Sequence, residues 1–132
     1  MNRSAVIKCL WAVLILVTVT LLFWMNERGA GAQGNGVSYR VSISSSHIQG
    51  NKSSFGGVIA ANGSVVVFNS NANNLVANDL NNEIDIFSYD LSSGITSLVS
   101  ISSSGIQGNG TSDKPVISAD GRYVVFRSIA SN

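Results

Sequence analysis

The chain has 132 residues and a mass of 13.8 kDa, enough for one small domain and a targeting segment. Only 11 % of it is charged, and from Gln33 onward five Lys/Arg (Arg40, Lys52, Lys114, Arg122, Arg127) face six Asp/Glu, a net of −1 with no basic stripe. That argues against nucleic-acid binding, which needs clustered positive charge to displace counterions. The single cysteine, Cys9, rules out an intrachain disulfide framework, so stability has to come from packing.

Arg3, Lys8 and the amino terminus precede residues 9–25, which hold 17 residues without a charge. This apolar helix and the following Ala30-Gly31-Ala32 have the order of a secretory signal with a small-x-small cleavage site. The same run also suits an uncleaved anchor, with Trp11 and Trp24 near the two interfaces. Either reading exports the remainder, as a periplasmic, extracellular or outward-facing membrane-anchored protein. Ile7-Lys8 before Cys9 does not resemble a lipoprotein cleavage box. Residues 1–32 are thus signal peptide or anchor plus linker, and the small residues of 26–36 suit a tether or a protease site.

From there the pattern is β. Residues 37–43 alternate Val37, Tyr39, Val41 and Ile43 with polar residues, which predicts a half-buried strand. Residues 44–55 read as a polar connection. Short apolar runs at 58–61 and 65–68 flank Asn62-Gly63, which predicts a type I′ hairpin. Residues 69–83 read as a long polar loop containing Leu75, Val76 and Leu80. Residues 84–89 and 95–101 read as strands joined at Ser92-Ser93-Gly94. Residues 116–118 and 122–127 read as a second hairpin, with Asp120-Gly121 at its tip and Pro115 at the start of a strand.

The pattern repeats. Offsetting the chain by 58 positions pairs residues 41–74 with residues 99–132, and 21 of the 34 pairs are identical without a gap. A fixed period of this kind marks a repeat architecture whose units bury their apolar faces by stacking. Residues 33–132 therefore divide into one repeat at 41–98 and a truncated one at 99–132. Four antiparallel strands in meander order per repeat is the blade of a β-propeller, of which about one and a half are present.

Ser118-Ala119-Asp120-Gly121-Arg122-Tyr123-Val124-Val125-Phe126 resembles the Ser-Pro-Asp-Gly-Arg-x-x-x-Phe core of TolB-like (WD-like) β-propeller repeats. Asp85-Ile86-Phe87-Ser88-Tyr89-Asp90, followed by Ser93-Gly94, resembles that family's Asp-Ile-Tyr-x-x-Asp and glycine turn. The first copy departs from the motif at Ala61-Asn62-Gly63-Ser64. The resemblance implies a ring of six or more blades in an exported protein. The chain then reads as the N-terminal fragment of a longer protein, or as one of several copies that build a ring.

Oxygen-bearing side chains recur at alternate positions in Asp79, Asn81, Glu83 and Asp85, a spacing that suits Ca²⁺. Ile84 occupies the place of the EF-hand glycine, and an Asx-rich loop without metal is the competing reading. His47, the only histidine, corresponds to Gly105 in the second copy and reads as a solvated loop residue rather than a catalytic base. No serine elbow, zinc-ligand helix or phosphate loop occurs. Asn51, Asn62 and Asn109 open glycosylation sequons of low specificity. The function expected is protein binding or scaffolding by an exported propeller segment, with the long loops as the contact surface. Its membrane contact would be limited to an uncleaved N-terminal segment, and it would form a homo-oligomer if the short chain is complete. The alternative is the propeller domain of a larger secreted hydrolase or lyase whose catalytic part lies elsewhere.

Overall fold

Alternating apolar positions become strands where a neighbour supplies backbone partners. A computed structural model describes residues 38–132, and Tyr39–Asn132 forms one unit. Its elements are β1 (Ser54–Ile59), β2 (Val65–Ser70), β3 (Asp85–Asp90), β4 (Thr96–Leu98), β5 (Ser112–Ile117) and β6 (Val124–Ser128). The first four form an antiparallel sheet in chain order, and β5–β6 form a second, two-stranded antiparallel sheet. The described residues are all-β and contain no helix. The apolar segment 9–25, its cleavage site and the linker lie outside them.

The repeat is kept in the register as well as in the residues. Val58 faces Val67 and Ile59 faces Val66; 58 residues later Val116 faces Val125 and Ile117 faces Val124. Both hairpins shift register at the same point, between Phe55 and Val58 and between Asp113 and Val116. The bulged residues are Gly56, with φ +66°, and Lys114, with φ +53°. Pro115 is therefore inside β5 at the bulge rather than at a strand start, in a place where the ladder already lacks a bond.

The hairpin tips differ from the expected type I′ turns. Of Asn62-Gly63 only Gly63 has positive φ, and of Asp120-Gly121 only Gly121. Gly63 N–H donates to the Ala60 carbonyl at 2.8 Å, and Ala60 N–H donates to the Val65 carbonyl at 3.0 Å, closing a four-residue loop. The second tip repeats this with Gly121, Ser118 and Tyr123. The side chains explain the choice. Asn62 Oδ1 accepts from Ser64 N–H at 3.0 Å, and Asp120 Oδ1 accepts from Arg122 N–H at 3.1 Å, so each forms an Asx turn that needs only one left-handed residue.

Residues 38–43 are not a strand. Ile43 makes an isolated bridge with Gln49, and Ile101 makes the same bridge with Gln107. By the 58-residue offset these residues correspond to the β4 region, which is held by β3. The apolar alternation still packs, since Val41 and Ile43 lie against the cluster of Phe68, Ala72, Leu75, Phe87 and Tyr89. Within it the Phe68 and Phe87 rings stack at 5.8 Å. Leu75, from the long polar loop, is fully buried there. A second cluster joins the sheets: Ala60, Val67 and Ile86 from the first meet Ile117 from the second, flanked by Val65, Val99, Val124 and Phe126.

Candidate interaction surface

The long loop between β2 and β3 is held by polar side chains at its start and end. Asn51 clamps the start: its Nδ2 donates to Asn73 Oδ1 at 2.7 Å, its Oδ1 accepts from Asn73 N–H, and its own N–H donates to Asn74 Oδ1. Asn109 makes the same set with Ser131 and Asn132, and Asn74 and Asn132 each return a bond, to the carbonyls of Gln49 and Gln107. The Asn51/Asn109 identity between copies is thus a structural clamp.

The four residues with calcium-like spacing are placed at the end of the loop. Asp79 and Asp85 are buried, at 6 % and 0 % exposure. Gln107 Nε2 bridges them, 2.8 Å from Asp79 Oδ1 and 2.9 Å from Asp85 Oδ2. Asp85 also accepts from Ser100 Oγ at 2.5 Å and from Asn81 Nδ2 at 2.8 Å. Asn81 turns its oxygen to Glu83 N–H, and Glu83 accepts from Thr111 Oγ1. The structure thus joins Asp79 and Asp85 through an amide and directs Glu83 to a separate hydroxyl. Among the described residues no three acidic, histidine or cysteine side chains converge. Burial raises the Asp79 carboxyl above its ordinary value; the Gln107 amide opposes the rise, Asp85 adds to it, and Lys52 opposes it. Ser100 and Gln107, the partners that complete this network, come from the start of the second repeat. Their identity with Ser42 and Gln49 was the only sequence signal for them.

Turn carboxylates behave in the opposite way. Asp90 is held down at about 2 by hydrogen bonds from Ser92 and Ser93, and Asp120 is lowered by the Ser118 hydroxyl and Arg122 N–H. His47 is exposed with φ +62°, and Gly105 in the matching turn has φ +76°. The two share a left-handed turn position, which glycine fits freely and histidine tolerates better than most residues.

Two open clefts flank these elements. One of about 390 Å³ lies between the Ser44–Ile48 turn and Asn74–Ala77 of the long loop. The other, of about 340 Å³, lies between Ser88, Asp90 and Ser97 of the first sheet and Gly121 and Val124 of the second. Leu80 projects from the loop at 77 % exposure, while Val116, Tyr123 and Val125 leave one face of β5–β6 apolar and open. Among the described residues no helix is long and apolar enough to cross a membrane. No family model matches the chain, and no curated protein or solved structure matches it significantly.

Proposed function

We propose that this chain is an exported β-propeller repeat segment that binds or scaffolds other proteins through its long inter-strand loops. The observation that carries the reading is the four-stranded meander followed, 58 residues on, by a second sheet with the same register and the same bulge, stacked on the first. Sheets repeated in this way have their inter-strand loops at their ends, where partners dock. The resemblance of Ser118–Phe126 to the TolB-like core supports the same reading. The Asp79–Gln107–Asp85 network acts as a brace, locking the loop so that Leu80 is presented at its surface.

The test is affinity capture with the full chain from the envelope fraction of its source cells, quantified against two variants. Leu80→Ser alters the loop, while Leu91→Ser alters an exposed apolar residue at the opposite end of β3. The proposal expects at least one partner to fall by about tenfold with Leu80→Ser and to be unchanged with Leu91→Ser. An identical set of partners for both variants contradicts it.

A further inference from the structure

Beside the hydrogen bonds of Ser100, Gln107 and Thr111 to the β2–β3 loop and β3, the two repeats meet through one pair of apolar sheet faces. Val65 and Val67 of β2, with Ala60 and Ile86, form the face of the first sheet that Ile117, Val124 and Phe126 of the second sheet cover. In that contact Val67 is 0 % exposed and Ile117 is 9 % exposed. The position of Val67 in the second sheet is Val125, which is 70 % exposed and flanked by Val116 and Tyr123. The position of Ile117 in the first sheet is Ile59, which is 56 % exposed. The chain therefore contains one assembled copy of this interface and, on opposite outer faces, the two halves of another.

We propose that the Val125 face docks the Ile59 face of a second copy of this chain, head to tail, reproducing between molecules the contact made between repeats. The complementarity is already present in the residues. Val58 and Val67 recur as Val116 and Val125, and Ile59 and Val66 recur as Ile117 and Val124; Phe68, the counterpart of Phe126, is already buried against Phe87 and Leu75, so the free half of the contact is Ile59 and Val66. Two positions of the contact change: Ala60 becomes Ser118, and Val65 becomes Tyr123, whose ring lies under the Arg122 guanidinium at 5.6 Å. The Asp113–Arg127 ion pair borders the free face and gives it a polar rim. Because the two faces are different patches, the contact is heterologous: copies add in one direction until rotation closes a ring. This inference goes beyond partner binding at the loops and stands on the sheet faces alone, so either can fail without the other.

Two single substitutions at exposed positions test it, each in the full chain and with folding checked by circular dichroism. Val125→Asp removes one face and Ile59→Asp the other. Sedimentation velocity is expected to show assembly of the wild type that grows with concentration. Each variant alone is expected to remain monomeric, and an equimolar mixture of the two to give a heterodimer with twice the monomer mass. That complementation is specific to a two-faced contact. Association that survives in either variant alone, as through the N-terminal apolar run, overturns the proposal. So does a mixture that remains monomeric, or a wild type that stays monomeric because other parts of its own polypeptide cover these faces.

Discussion

Asp79 shows how a residue pattern and a residue's environment can point in different directions. Its spacing with Asn81, Glu83 and Asp85 is that of a hard-cation loop, yet the fold buries it and gives it the Gln107 amide as a partner. Burial raises its pKa from the ordinary 3.8. A carboxyl raised by folding holds its proton more tightly in the folded state. The wild type therefore gains stability as pH falls through the raised value toward the ordinary one, and carries a penalty above it. Asp79→Asn keeps an oxygen for Gln107 and removes the ionisation. It is expected to match or exceed the wild type in urea midpoint at neutral pH, with the difference closing by about pH 4. A variant that is less stable by about 1 kcal/mol or more at neutral pH would contradict this. A calcium site would behave differently, with a melting temperature that rises with added Ca²⁺ in the wild type and not in Asp79→Asn. The sequence showed the acidic residues of this brace. It did not show that Ser100 and Gln107 would complete it, because those residues lie 15 and 22 positions from Asp85 and are brought to it only by the second repeat.

Hairpins are the elements whose logic was most legible. Val65–Ser70 falls on the apolar run expected at 65–68 and Asp85–Asp90 on the strand expected at 84–89, and Gly63 and Gly121 mark the tips. The tips are not type I′ turns because Asn62 and Asp120 put their side chains into Asx turns and only the following glycine takes positive φ. The bulge was not legible at all, since Gly56-Gly57 and Lys114-Pro115 share no chemistry. What they share is a conformation. Gly56 occupies a left-handed position without strain, and a Cβ there would lie 2.3 Å from Asn69 Oδ1. Lys114 takes the same conformation at a cost of about 1–2 kcal/mol. Lys114→Gly is therefore expected to stabilise the second hairpin, by less than about 1 kcal/mol because glycine also loosens the unfolded chain. Gly56→Ala is expected to destabilise the first by about 2 kcal/mol or more. Denaturant titrations of both variants check the signs, and opposite signs would mean that the shared bulge is wrongly placed.

Taken whole, the described unit leaves an apolar sheet face open at each end of its stack. Its two sheets stack through Val67, Ile86 and Ile117, each worth about 1.5–3 kcal/mol when fully buried, and Val125 and Ile59, the counterparts of Val67 and Ile117, stand open to solvent. The architecture was visible in the sequence as a period of 58 residues, and the stacking direction followed only once the side chains of β2 and β6 could be assigned to faces. If these sheets are blades, further units must turn the stack back on itself until the open faces meet. Electron microscopy of the natural polypeptide that carries this sequence, purified in its assembled state, is the direct test. The account predicts class averages of a closed ring of radial sheets around a central channel. An open stack, a filament, or an isolated particle of two sheets would contradict it.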